Sequence, residues 1–232
     1  MPAARLIAAL LTALAAPAAA ECRLALVLAM DVSRSVDAAD FAIQVEGLAT
    51  ALEDEAVQQA FLVPDGEVAL AVYQWSGQAH QEMLVDWQMV RSAADLGRIA
   101  ATLRLARRPE ARLLTALGAA VGFGKGLLDR GPPCRRRVID VASDGQNNQG
   151  PPPPHIYEDG GWEGITVNAL AIRAHETGLV DYFRRSLIRG PGAFVEVADR
   201  HQDFPPAIRR KLIRELTEAV ALLPQRRPGG KS

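Results

Sequence analysis

The sequence predicts an α/β fold: a doubly wound, mostly parallel six-stranded sheet with one antiparallel edge strand and helices on both faces. Three observations carry this. Short apolar runs alternate with segments of helical periodicity, the pattern produced by a parallel sheet with crossover helices. Residues 24–30 are almost continuously apolar, as a central strand covered on both faces must be. Ser76-Gly77 separates residues 67–75 from a short segment at 81–85, which is hairpin spacing and supplies the antiparallel edge.

Each element then follows in order. The first helix is expected from about Asp37, a candidate cap. Its Phe41, Val45, Leu48 and Leu52 fall on one buried stripe. Pro64-Asp65-Gly66 marks the turn into the second strand. Residues 92–106 read as a helix with Leu96, Ile99 and Leu103 inward, and 107–114 as a loop. Thr115 opens a further helix carrying Leu117, Ala120, Val121, Leu127 and Leu128. Its several glycines weaken an isolated helix but permit close packing on a sheet.

The fourth strand is expected at 137–142 and the fifth at 165–172. Between them, 146–161 is too rich in proline and glycine for a regular helix. A helix at 178–188 carries Leu179, Tyr182, Phe183 and Leu187 and stops at Gly190. The sixth strand is expected at 193–197. Pro205-Pro206 then begins a last helix with Ile208, Leu212 and Leu216 on one face. The chain shows no internal repeat.

The first twenty residues read as a signal peptide. Arg5 supplies the positive start, residues 6–16 an apolar core, and Ala18-Ala19-Ala20 a small-residue cleavage site. That apolar run is shorter than the roughly 20 residues a membrane span needs. Glu21 stands where a lipoprotein would require a small residue before Cys22. The expectation is therefore an exported protein, periplasmic or secreted, with one domain at 21–224 and a disordered tail at 225–232. No second apolar stretch approaches membrane length. With 26 basic and 27 acidic residues, its basic clusters scattered among acids, the chain shows no nucleic-acid footprint.

In an oxidising compartment two cysteines imply a disulfide. Cys22 lies nine residues before Asp31 and Cys134 ten before Asp144. If the two strands are parallel neighbours, both thiols reach the same sheet edge, at a separation a disulfide accepts.

The candidate site rests on Asp31-Val32-Ser33-Arg34-Ser35 and Ser143-Asp144-Gly145. Each follows an apolar strand, and loops at the carboxyl ends of neighbouring parallel strands converge on one crevice. Carboxylates and hydroxyls meeting there form an all-oxygen pocket, suited to a hard divalent cation. The competing readings are ordinary: Asp31 and Ser33 as helix caps, Asp144-Gly145 as a turn.

Three segments in this order carry a resemblance to a known family. They are Asp31-Val32-Ser33-Arg34-Ser35, Thr115-Ala116-Leu117-Gly118, and the run from Val138 through Ser143-Asp144-Gly145-Gln146-Asn147-Asn148. The chain resembles a von Willebrand factor type A (vWA) domain, and within that class a branch of bacterial secreted vWA-like proteins; Gly190-Pro191-Gly192-Ala193-Phe194 fits that branch.

The resemblance implies a vWA/Rossmann-like sheet and a metal-ion-dependent adhesion site (MIDAS) for Mg2+, or Mn2+ or Ca2+. In it Ser33 and Ser35 would hold the cation directly. Thr115 would do so directly or through water, and Asp31 and Asp144 mainly through water. It implies no enzymatic activity, but a protein partner that offers a carboxylate to the cation. Arg34, Asn147, Tyr157 and Trp162 are the candidate partner-binding residues, with Pro151 to Pro154 shaping that surface or acting as a spacer. Asn147 and Asn148 could equally serve the backbone of the turn. Leu113-Leu114 stand where the family has a Gly or Ser before the threonine, which leaves the place of the third hydroxyl open.

Other chemistries find little support. The four histidines have no metal-ligand spacing, and Gly122-Phe123-Gly124-Lys125-Gly126 lies within a helix without the Ser or Thr of a phosphate loop. No nucleophile elbow occurs. A Mg-dependent phosphatase or hydrolase remains the alternative from another class. Against it, Ser33 stands where such enzymes need a second acid. A vWA fold with a decayed site is the third reading.

Overall fold

The structure, a computed structural model, describes residues 21–110 and 113–221. The expected signal peptide at 1–20 and the tail after Pro224 lie outside the described residues. The chain forms β1 (Cys22–Asp31), α1 (Ala38–Glu53), α2 (Glu55–Leu62), β2 (Glu67–Trp75), β3 (Gln81–Val90), α3 (Ala93–Arg104) and α4 (Leu117–Asp129). It continues with β4 (Arg136–Ser143), α5 (Pro153–Glu158), β5 (Ile165–Ile172), α6 (Leu179–Ser186) and β6 (Val195–Ala198). A 3-10 turn (His201–Asp203) then leads into α7 (Phe204–Ala221).

The sheet order is β3-β2-β1-β4-β5-β6, parallel throughout except for the β2–β3 hairpin. Residues of β1 alternate between two cores. Leu24, Leu26, Leu28 and Met30 face α1, α2, α3 and α7, whereas Ala25, Val27 and Ala29 face α4 and α6. Large residues on one face and small ones on the other let α4 approach the sheet closely. Its Gly124 leaves so little room that a Cβ there would lie 3.1 Å from Ile139.

β1 and β4 are adjacent at the point where the strand order reverses, and Met30 pairs with Ala142. Asp31 and Ser143 therefore finish side by side at the carboxyl edge, where open α/β sheets bind ligands. At the opposite edge Cys22 and Cys134 form a disulfide with Cα atoms 4.6 Å apart.

The structure departs from the sequence expectations in three places. The helix α2 was not foreseen. Asp54 ends α1 and caps α2, accepting from the N–H groups of Ala56 and Val57, and Val57 and Phe61 are buried. β3 runs to Val90 rather than stopping near 85. The proline-rich stretch holds a short helix, α5, with Pro152 at its N-cap and Pro153 and Pro154 in the first turn. Proline is tolerated there because those N–H groups have no intrahelical acceptor. Among the described residues no helix is long and apolar enough to cross a membrane.

Candidate metal centre

The geometry starts from Asp31, the last residue of β1, which is fully buried. Its Oδ1 accepts from the Ser33 backbone N–H at 2.7 Å, and its Oδ2 accepts from the Ser143 hydroxyl. The loop that follows is tied down on several sides. Val32 N–H donates to Trp75 O at 2.8 Å, and Arg34 N–H to Leu113 O at 2.8 Å. The Arg108 guanidinium donates to Val36 O at 2.8 Å and to Ser33 O at 3.3 Å. Asp37, not Asp31 or Ser33, caps α1, through a capping box with Asp40. The Asp31 carboxylate and the Ser33 hydroxyl are thus free of capping duty and fully buried, and Ser35 lines the cleft.

There the side-chain oxygens meet in a chain of contacts. Ser33 Oγ and Ser35 Oγ lie 3.3 Å apart, and the Thr115 hydroxyl donates to Ser33 Oγ at 3.2 Å. Ser35 Oγ donates to Asp144 Oδ1 at 2.7 Å. The structure therefore brings Asp31, Ser33, Ser35, Thr115 and Asp144 together from three separate connections. Leu113-Leu114 does not displace Thr115. Asn148 accepts from the Thr115 N–H at 2.8 Å through its Oδ1, and its own N–H donates to Thr115 O at 2.9 Å.

Electrostatically the site is unbalanced. Burial, and next the charge of Asp144, push the Asp31 pKa up to about 7, against hydrogen bonds from Ser143 and Ser33. Burial also raises the Asp144 pKa, opposed by the Ser35 hydroxyl and by His201 and His175. Asp144 Oδ2 is buried without a hydrogen-bond partner. Two buried carboxylates, one with an orphaned oxygen, among three hydroxyls form a donor set that a hard dication fits. Among the described residues no three His, Cys, Asp or Glu side chains are grouped to hold a metal. Any cation here would depend on the hydroxyls.

The candidate partner-binding residues divide. Arg34 is exposed and lines the cleft beside Ser35, Thr115 and Asp144. Asn147 is committed to the turn: its Oδ1 accepts from Gly118 N–H at 3.3 Å and its Nδ2 donates to Gly150 O at 3.1 Å. Trp162 corrects the expectation of an exposed aromatic surface, being only 2 % exposed. Its indole N–H donates to Ile156 O at 3.0 Å. Tyr157 meets it edge-on at 4.8 Å, lies under the Arg189 guanidinium, and donates its hydroxyl to Leu187 O. That pair anchors α5 to the body of the domain, with Trp162 buried and Tyr157 half-buried.

Sequence reasoning also missed His201, which is 3 % exposed and lies between two carboxylates. Its Nδ1 is 3.3 Å from Asp40 Oδ1 and its Nε2 3.8 Å from Asp144 Oδ2. No spacing in the sequence signals it, because only the docking of the turn before α7 brings it there.

The family model described as "Protein of unknown function (DUF1194)" matches residues 21–220. The chain belongs to that family. No curated protein matches it in sequence. In three dimensions it is similar to proximal thread matrix protein 1 from the mussel byssus, in a structure described as having a zinc-occupied MIDAS motif. The TM-score is 0.60 at 16% identity, over 86% of this chain and 49% of that one. It is similar to a von Willebrand factor type A protein from Catenulispora acidiphila, with TM-score 0.57, 14% identity, and 87% and 43% of the two chains covered. It is also similar to the pilus adhesin SpaC from Lactobacillus rhamnosus GG, with TM-score 0.55, 13% identity, and 86% and 30% covered. The fold of this DUF1194 member is that of a vWA domain. The chain spans half or less of the length of these three proteins.

Proposed function

We propose that the protein is an exported, non-enzymatic binding module that holds a divalent cation in this cleft and uses it to bind a carboxylate of a protein partner. The observation that carries the reading is the meeting of Asp31, Ser33, Ser35, Thr115 and Asp144, with Asp144 Oδ2 buried and without a hydrogen bond. Ser33, Ser35 and Thr115 would hold the cation through their hydroxyls, and Asp31 and Asp144 largely through water. Bound there, Mg2+ (or Mn2+ or Ca2+) would neutralise the two carboxylates and leave an open position for an oxygen ligand. Arg34, exposed at the rim, would meet the partner's negative charge.

Two further observations support the reading. The mussel protein is described with zinc in a MIDAS motif and the Lactobacillus protein as an adhesin. A disulfide fits an oxidising compartment and hence export of a mature domain beginning near residue 21.

The test is a thermal melt with and without metal. A ligand at 100 times its Kd stabilises a protein by about 2.7 kcal/mol. For a domain of this size that is roughly 5–10 °C. Mg2+ or Mn2+ is expected to raise the Tm by such an amount, and Asp31→Ala to abolish the shift. Capture of a partner from periplasmic extract should be lost in EDTA. Hydrolysis of a generic phosphoester, or no metal response at all, would overturn the reading.

A further inference from the structure

The cleft holds another carboxylate to which the proposed function gives no role. Glu176 sits in the connection between β5 and α6 and lines the cleft with Ser35, Thr115 and Asp144. Its Oε1 lies 3.9 Å from the point that a Cβ on Gly145 would occupy, and Thr115 Oγ1 lies 3.4 Å from the same point. Carboxylate and hydroxyl therefore flank one small space next to Asp144. Glu176 Oε2 is buried and has no hydrogen-bond partner. Asp144 Oδ2 is likewise buried without a hydrogen bond, on a residue only 1% exposed, and lies 3.8 Å from His201 Nε2. A buried acceptor without a donor is costly, so the unpaired Glu176 Oε2 on the cleft wall beside Asp144 calls for a cationic partner there.

The two carboxylates differ in how firmly they are held. Asp144 directly follows β4 and accepts the Ser35 hydroxyl. Glu176 stands on a connection of turns without regular structure. Such a side chain can withdraw without unpairing any strand. It also carries the chemical group that an external partner would offer.

We propose that Glu176 is the site's own carboxylate ligand, occupying at the cation the place a partner's carboxylate needs, so that the β5–α6 connection keeps the site closed until a partner displaces it. This rests on the reading of the cleft as a cation site. A tethered ligand competes at millimolar effective concentration. It therefore sets a threshold that weak, free carboxylates do not pass and a well-matched partner does. As a further negative charge lining the cleft it also strengthens cation binding while repelling an incoming carboxylate.

The experiment uses the full mature chain with its disulfide intact. Mg2+ is titrated by calorimetry and thermal melt, and acetate is then titrated at saturating Mg2+. Wild type is compared with Glu176→Gln, Glu176→Ala and Asp31→Ala. Both Glu176 variants are expected to bind Mg2+ several-fold more weakly, yet to bind acetate about tenfold more tightly once Mg2+ is saturating. Having Ala beside Gln separates loss of the charge from any local effect of the amide. If wild type shows an Asp31-dependent Mg2+ response but acetate binds the Glu176 variants no more tightly, the self-ligand role is overturned and the cation site stands. If wild type shows no such response, both fall.

Discussion

Asp31 is buried beside a second carboxylate, and that placement sets how the metal-free protein responds to pH. Its pKa is pushed up to about 7, first by burial and next by the charge of Asp144. Between about pH 4 and pH 7 the folded protein keeps a proton that the unfolded chain has released, so stability falls as pH rises through that window. Asp140 is likewise raised to about 7, mainly by burial, with Lys211 opposing the shift, and contributes in the same direction. Surface carboxylates such as Asp54, lowered by its hydrogen bond from Arg209, lose their contribution only below about pH 4. In EDTA, Asp31→Asn should therefore remove part of the decline in Tm between pH 5 and pH 8 and leave the shares due to Asp140 and Asp144. A wild-type slope no steeper than that of the variant would refute the assignment.

Individual residues were legible in proportion to how local their signal was. Asp31, Ser33, Ser35 and Asp144 stand in short motifs at strand ends, where topology alone dictates convergence. Glu176 lines the cleft and His201 approaches Asp144 from connections whose sequences carry no spacing rule. Trp162 misled in the opposite way: its place beside the proline run groups it with the partner-binding residues, but it is buried and its indole N–H donates to Ile156 O on α5.

At the scale of elements, the apolar stripes placed α1, α3, α4 and α7 because each buries a face wide enough to read. Helix α2 escaped since it begins at the residue that ends α1, leaving no loop to mark a boundary. The stripe on α7 also hid its charged part. Lys211 and Glu215, one helical turn apart, are both buried. Lys211 Nζ lies 3.0 Å from Asp140 Oδ1 on β4, and Glu215 Oε1 accepts from Asn168 Nδ2 on β5 at 2.8 Å. No pattern of apolar residues could announce such a group, because its members are polar residues on three elements.

The contact between α4 and the turn after β4 decides where Thr115 sits, and Gly118 permits it. A Cβ at Gly118 would fall 2.0 Å from Pro151 O. The same backbone N–H donates to Asn147, next to the Asn148 that fixes Thr115. Gly118→Ala must push the 147–151 segment outward, at about 1–3 kcal/mol for an overpacked site. The expected result is a lower Tm together with a weaker Mg2+-dependent shift. A loss of Tm with an undiminished shift would show that Thr115 is held independently of that contact.

Across the whole molecule the covalent crosslink and the candidate site occupy opposite edges of the sheet. Cys22 opens β1 and Asp31 closes it, so the two are separated by about 30 Å of strand. The disulfide joins residues 112 apart in sequence. In the chain-entropy model a loop of that length is worth about 4–5 kcal/mol, acting on the unfolded state. The relative placement of Asp31 and Asp144 has a different origin. It comes from the continuous parallel pairing of β1 with β4, from Leu24 with Arg136 to Met30 with Ala142. Replacing both cysteines by serine should therefore lower the Tm by roughly 10–20 °C. It should leave the Mg2+-dependent shift of the remaining folded protein unchanged, as thermal melts at matched pH would show. If the shift vanished while the protein was still folded, the register at the carboxyl edge would have to depend on the crosslink at the amino edge, and the division of labour along β1 would be wrong.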